Sequence, residues 1–462
     1  MQCVKVVSSS VLSRIISLKI GHHRYFTMAV TPNSTFCLSD YDCIGFDLDN
    51  TILRYKLKNH IEMVYKHLSK FLVEERGFDP HYLYQPIGQN MDFLQKGLVL
   101  DYFKGNVLQL GIGGHIKKAA HGTRPLTQSA INALYGEDGV WELTANFAEN
   151  PLHAWNGPVS QRIRACLDYF DMPAALSFAR CVDSLDAQKG NGNPLESYGL
   201  HTDIVSGLVD MFNRDNFKLN TGGYFPDIKA NPELYMHRCS PVVVNWLREL
   251  KKCKKMILIT GSNSDFASFT AEYCMGENWK DLFDVMCFFA KKPAFFFEKR
   301  PFLSIKDFEE CEAISGCSLK CGSYYSQGNW QDVVASMSKE TGIAKPKCLY
   351  IGDNIIQDVY TPVKFTDCDA IAMAEEMNVA ELDQDPSDKE VTQSKFWGSY
   401  FDLCNNKSSS LWGNFIERYS KICVPRLEVM AEKPLDFQYQ SFNSQSSDSR
   451  SPVGYYPSPP LN

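Results

Sequence analysis

Four short apolar runs, each stopped by a polar or charged cluster, constrain this chain more than any other feature. The first, CIGF at 43–46, runs into Asp47 and Asp49, and the second, MILI at 256–259, is stopped by Thr260-Gly261-Ser262. The third, VMCFFA at 285–290, meets Lys291-Lys292-Pro293; the fourth, CLYIG at 348–352, meets Asp353, with Asp358 five residues on. A further run, DAIAMA at 369–374, follows a helical stretch. Apolar runs this short and without alternation read as strands buried on both faces. Helical patterns separate them. Ile61, Val64, Leu68, Phe71 and Leu72 share one face of 60–76, with Gly77 as C-cap, and Ser240-Pro241 opens a helix carrying Val243, Trp246, Leu247 and Leu250. Strands alternating with helices predict an α/β fold with a parallel sheet covered on both faces. In open α/β sheets ligands bind beyond the carboxyl ends of the strands, so the four polar clusters are expected to meet at one site.

Three or four carboxylates, one ammonium and a small hydroxyl are an odd set for stability, because each acid makes its neighbour costlier to ionise. They suit phosphoryl transfer. A divalent ion such as Mg2+ takes oxygen ligands from one or two carboxylates plus a substrate phosphate, which removes the repulsion. Metal and lysine together neutralise a phosphate ester, and a carboxylate can attack it as nucleophile. Residues i and i+2 of a strand point the same way, so one acid of DLD can attack phosphorus while the other handles the proton of the leaving oxygen. Taken singly, DxDxT is an acidic turn, Lys292 a solvated lysine and GDN a tight turn. The ordered set, each member at the end of an apolar run, carries the inference.

Residues 80–235 break the strand–helix rhythm. They are rich in Gly, Asn, aromatic and polar residues; 105–123 reads as a hairpin around Gly113-Gly114, and 171–185 as a helix with Asp171 as N-cap. The expected organisation is a leader over 1–39, a catalytic core over 40–79 and 236–432, an inserted domain over 80–235, and a Ser/Pro-rich tail over 433–462, disordered or extended over the surface. The first 28 residues hold Lys5, Arg14, Lys19 and Arg24 and no acid, the pattern of a mitochondrial presequence; the alternative is a disordered leader or an extension ahead of a start at Met28. The 462-residue chain has a net charge of -7, which gives no support to nucleic-acid binding, and no apolar stretch reaches membrane-spanning length. Its 16 cysteines form no CxxC pair and read as free thiols of a reducing compartment. The cluster Cys311, Cys317 and Cys321 lacks a fourth zinc ligand nearby, because all ten histidines precede residue 240.

FDLDNT, LITGS or GSNSD, KKP and IGDNIIQD resemble the four motifs of the haloacid dehalogenase-like phosphatases. DLDNTILRY, AHGTR, NSDF, KKPAFF, YSQGN and YIGDNIIQDV are similar to the purine-type cytosolic 5′-nucleotidase branch, and the resemblance runs from about residue 40 to the end. It implies a doubly wound, Rossmann-like parallel sheet with 80–235 as a large cap. It also implies a Mg2+-dependent 5′-nucleotidase acting on nucleoside 5′-monophosphates through an aspartyl-phosphate. By position, Asp47 is the nucleophile and Asp49 the general acid/base. Lys292 binds phosphate. The metal is held by the Asp47 carboxylate, the Asp49 backbone carbonyl and Asp353, with Asp358 orienting the metal's water or the lysine. The phosphate-binding hydroxyl is Thr260 by counting along the strand, or Ser262 by aligning SNSDF; the longer anchor favours Ser262. Asn50 stands where the branch usually has an aromatic residue or His. His121-Gly122-Thr123 match the cap motif loosely, so no base-reading residue is carried over. The resemblance implies a cytoplasmic protein, mitochondrial if 1–28 is a presequence, and is compatible with a homo-oligomer. The alternatives are a non-catalytic scaffold of the same fold that binds a protein partner, or a phosphatase or phosphotransferase for another small phosphorylated metabolite.

Overall fold

The computed structural model describes residues 35–190, 193–314, 319–377, 391–392, 394–402, 409–442 and 453–457. Its main sheet has nine strands, in the order Glu309–Ile314, Phe302–Lys306, Ser323–Gln327, Val285–Phe288, Lys255–Ile259, Cys43–Phe46, Cys348–Gly352, Asp369–Met373 and Cys423–Val424. All pairings from Ser323–Gln327 to Cys423–Val424 are parallel; the two outer strands at the other edge pair antiparallel. The fold is therefore mixed α/β, as the buried runs predict. Cys43–Phe46 is central and every residue in it is buried. Phe46 registers with Leu258 on one side and Ile351 on the other, so three of the polar clusters leave adjacent strands at one level. The chain runs outward one way through Lys255–Ile259 and Val285–Phe288, and the other way through Cys348–Gly352 and Asp369–Met373. The order reverses between Cys43–Phe46 and Cys348–Gly352, and a crevice at such a switch point is where α/β sheets bind ligands.

The first helix spans Leu57–Glu74 and puts Ile61, Val64, Leu68 and Leu72 in the core, the face that the periodicity predicts. Gly77 ends it at φ 75°, with the Gly77 and Phe78 amides donating to the carbonyls of Val73 and Leu72. Ser240 caps the Pro241–Cys253 helix by accepting from the Val242 amide.

A second sheet lies wholly within 80–235. Its five antiparallel strands run in the order Arg124–Pro125, Ile116–His121, Asn106–Leu110, Val99–Asp101 and Ile163–Ala165, and include the hairpin read around Gly113-Gly114. The Met172–Lys189 helix forms, but Asp171 does not cap it. Asp171 has helical φ/ψ, and its carboxylate accepts from Arg164 Nη2 at 2.7 Å instead. Arg180 of this helix is 1% exposed and donates to Tyr65 Oη at 2.7 Å and to the carbonyls of Gln85 and Pro86, tying the segment to the first helix. One hydrophobic core contains the central strand, the first helix and this helix.

The described part of the tail is neither disordered nor merely laid over the surface. Tyr439–Gln440 pairs antiparallel with Thr35–Phe36, at the edge of the expected leader, and the rings of Phe36 and Tyr439 stack at 5.5 Å. Tyr455 packs on Phe401 and Phe442. Aromatic residues inside the Ser/Pro-rich composition supply the apolar area that holds these pieces down. The presequence expectation for 1–28 lies outside the described residues. So does Cys317; Cys311 and Cys321 are exposed. No described helix is long and apolar enough to cross a membrane.

Candidate active site

The parallel sheet brings the four clusters together. Asp47 follows the central strand, its amide donating to the Ile351 carbonyl at 2.9 Å. Lys292, four residues beyond Val285–Phe288, donates from Nζ to Asp47 Oδ1 and to Asp358 Oδ1, both at 2.7 Å. Asp353 follows Cys348–Gly352, and Asp358 sits in the short π-helical turn Ile355–Tyr360, where its Oδ2 accepts from the Asn354 amide at 3.1 Å. Asn354 holds that turn by accepting from the Ile356 and Gln357 amides. One oxygen from each of Asp47, Asp353 and Asp358 falls within 4.8 Å of the others. Every one of these side chains is buried.

Asp49 faces a different set. Its Oδ2 accepts from Ser262 Oγ at 2.7 Å and from Thr260 Oγ1 at 3.4 Å, and its Oδ1 accepts from Tyr55 Oη at 2.9 Å. The Asp49 carboxylate is thus turned to hydroxyls, and the acid group beside it is made by the other three aspartates. Ser262 lines the cavity, whereas Thr260 is fully buried and accepts from the Ser262 amide. The structure brings both hydroxyls to one acid.

Burial pushes the Asp47 carboxyl up to about 8, against the opposing ammonium of Lys292 and reinforced by Asp358 and Asp49. Burial also raises Asp49, opposed by its hydroxyl donors, and raises Asp353 strongly, opposed by Lys96. Lys292 is held charged well above its ordinary range: the two aspartates outweigh its own desolvation. The acids are short of positive charge. The donor set fits a hard divalent cation: the group consists of carboxylate oxygens, with no thiol or imidazole in it. Asp47 and Asp353 would hold the ion with the Asp49 carbonyl. Asp358, bonded to Lys292, also offers an oxygen.

A cavity of about 330 Å³ opens over the acids. Core residues Asp47, Asp49, Asn50, Ser262, Lys292 and Asp353 line its floor, and the 80–235 segment supplies an aromatic wall that includes Phe170, Phe212, Phe217 and Tyr224. Arg214 reaches from the same segment to Asp265 Oδ2 at 3.0 Å. His121 lies elsewhere. Its ring meets Asn106 Oδ1 at 2.7 Å and Tyr198 Oη at 2.9 Å, and Thr123 bonds Asp183. That motif serves the inserted sheet and does not line the cavity.

Sequence reasoning missed Tyr55, Asp168 and Lys96. Tyr55 is six residues from Asp49, but no motif marks it. Asp168 lines the cavity, its Oδ1 accepting from the Phe170 and Asp171 amides, and burial lifts it to about 6. Lys96 Nζ lies 3.4 Å from Asp353 Oδ2. The available signal for Lys96 was a lysine amid apolar residues in FLQKGLVL.

A model of the 5' nucleotidase family matches residues 30–393. The chain is 34% identical over 454 residues to 5'-nucleotidase domain-containing protein 1 of Bos taurus, covering 92% of this chain and 97% of that one. The Homo sapiens protein of the same name is 34% identical over 464 residues, with the same coverage. 5'-nucleotidase domain-containing protein 2 of Rattus norvegicus is 24% identical over 341 residues, 72% of this chain and 56% of that one.

Proposed function

The chain belongs to the 5' nucleotidase family, and from that premise and the site's geometry we propose that it is a Mg2+-dependent phosphomonoester hydrolase, a 5′-nucleotidase acting on nucleoside 5′-monophosphates. One observation carries the reading: an ammonium held at 2.7 Å from two buried aspartates, with a third beside them, at the carboxyl-end edge of the parallel sheet. The sheet order, with the acid pair on the central strand, supports a haloacid dehalogenase-like core over 40–79 and 236–432 with 80–235 as its cap. The aromatic wall gives a nucleobase rings to stack on.

In this reading an Asp47 carboxylate oxygen attacks phosphorus, the bond to the leaving oxygen breaks, and the Asp49 carboxyl gives its proton to that oxygen. Burial raises the Asp49 carboxyl above its ordinary range, the direction that favours the protonated form a general acid needs. Asp49 then takes a proton from water as the water oxygen attacks phosphorus, which releases inorganic phosphate and restores the Asp47 carboxylate. Lys292 and the hydroxyl of Ser262, supported by Thr260, hold the phosphoryl oxygens. Tyr55 and Thr260 orient Asp49, and the Ser262 hydroxyl exchanges Asp49 Oδ2 for a phosphoryl oxygen when substrate binds. Asp47, Asp353 and the Asp49 carbonyl would hold Mg2+, which would neutralise charge on the phosphoryl group and on Asp47.

Phosphate release from a panel of nucleoside monophosphates with Mg2+ tests the proposal. Wild type should hydrolyse at least one member, and Asp47→Asn should lose that activity while keeping its circular dichroism spectrum and a cooperative melt. A wild type inert on the whole panel would leave the scaffold or another phosphorylated substrate as the better account. An Asp47→Asn variant of full activity would remove Asp47 as nucleophile.

A further inference from the structure

Lys96 sits just ahead of the Val99–Asp101 strand of the inserted sheet, and its side chain is 1% exposed. Among the described residues its ammonium has two polar contacts, both with Asp353: the carboxylate Oδ2 at 3.4 Å and the backbone carbonyl at 3.5 Å. The rings of Tyr169 and Tyr400 flank it, with centroids at 5.0 and 5.5 Å. Lys96 does not line the cavity, so it meets no substrate.

This is a poor arrangement for stability. Taking an ammonium and a carboxylate out of water is offset only by close, well-satisfied geometry, and a pair of apolar side chains in place of both partners often does as well. Here three N–H donors face two long contacts, and the larger electrostatic attraction comes from the buried Glu376 carboxylate, which accepts from Tyr169 Oη and makes no hydrogen bond to the ammonium. The arrangement makes better sense from the side of Asp353. Asp47 and Asp358 share Lys292, and Asp358 accepts a further bond from the Asn354 amide. The Asp353 carboxylate has one hydrogen-bond donor among the described residues, and it is Lys96.

We propose that Lys96 is a positioning residue, supplied by the inserted segment, that fixes the Asp353 carboxylate for a divalent cation; the inference rests on the metal reading above. Outer partners of metal ligands fix ligand orientation, and their loss weakens metal binding by roughly 10–100-fold. The ammonium stays behind Asp353 and bonds one of its oxygens, which leaves the other for the cation. Seating the inserted segment and ordering the metal ligand are then one event, because the residue that orients the ligand comes from that segment.

The test is Mn2+ binding to the full chain, followed by calorimetry or by loss of the free-ion resonance, with no substrate present. Lys96→Met should weaken Mn2+ binding by roughly tenfold or more, and its melting temperature without divalent ions should fall, because the substitution leaves the buried carboxylates of Asp353 and Glu376 without their ammonium. Lys96→Arg, which restores charge and donors, should recover most of the affinity. Wild-type or tighter Mn2+ binding by Lys96→Met would reduce Lys96 to a packing residue. If Lys96→Met fails to fold, Lys96→Gln is judged by the same criterion. Asp353→Asn separates the two levels of the reading. If it binds Mn2+ as wild type does, the metal site is wrong and Lys96 falls with it. If it loses Mn2+ while Lys96→Met keeps it, the positioning role alone is overturned.

Discussion

Asn50 holds a left-handed backbone, φ 57°, inside a turn in which the amides of Thr51, Ile52 and Leu53 all donate to the Leu48 carbonyl. Apart from Gly, Asn is among the residues that accept this conformation best. The side chain is 3% exposed and lines the cavity, and its Oδ1 has no hydrogen-bond partner among the described residues. A buried acceptor left bare costs about 1–3 kcal/mol, which a donor on the substrate would offset. Asn50→Gly keeps the turn and deletes the acceptor, so KM should rise by about threefold to tenfold with kcat little changed. Asn50→Val puts a β-branched side chain at positive φ and should lower stability by about 1–3 kcal/mol. Steady-state kinetics on Asn50→Gly and denaturant melts on both variants decide it; an unchanged KM would show that the amide makes no substrate contact. Asn50 was legible as a departure from the 5′-nucleotidase pattern, but the turn it closes was not. Asp47, Lys292 and Asp353 were legible because each stands where an apolar run stops. Lys96 was not, because only tertiary structure brings it to an acid 257 positions away.

The Cys348–Gly352 strand and the Ile355–Tyr360 turn after it meet so closely that the strand's last residue must lack a side chain. A Cβ on Gly352 would lie 2.4 Å from Asp358 Cβ and 2.6 Å from its Cγ. Gly352→Ala should therefore lower stability by about 1–3 kcal/mol through overpacking. It should also reduce phosphate release by pushing Asp358 off Lys292. Urea unfolding and activity measured on the same preparation test both effects, and a variant unchanged in both would mean that the turn yields freely. Most of the elements around this one could be read in advance, since continuous apolar runs, the Ser240 cap and Gly77 are local signals. The antiparallel pair Phe302–Lys306 and Glu309–Ile314 could not. Glu309–Ile314 is largely exposed and carries Glu309, Glu310 and Glu312, so it has no buried run to announce it. Asp171 misled for a related reason: the residue type favours capping, but Arg164 takes its carboxylate.

At the scale of the whole molecule, the acid group is a charge that the fold confines and only partly neutralises. A carboxyl whose folded pKa lies above its unfolded value stabilises the fold below the unfolded value, and that stability is lost as pH rises through the folded one. Asp47, moved from 3.8 to about 8 by burial, has its window between those values; Asp49 and Asp353 are displaced in the same direction. In EDTA these groups should therefore erode thermal stability as pH climbs through that window. Mg2+ supplies the missing positive charge to the ionised acids, so the gain in melting temperature from Mg2+ over EDTA should increase with pH. Other buried groups titrate too. His60, held at about 3 by burial, favours the fold increasingly as pH rises through the ordinary histidine range, but it is present in both conditions and cancels in the difference. Differential scanning fluorimetry at constant ionic strength, at about pH 5.5 and about pH 8.5, reads the effect directly. Asp47→Asn removes one of the ionising groups and should flatten the pH dependence of the Mg2+ gain. A gain equal at both pH values in wild type would mean that the acids are already ionised in the metal-free fold, with Lys292 and Lys96 sufficient to hold them so.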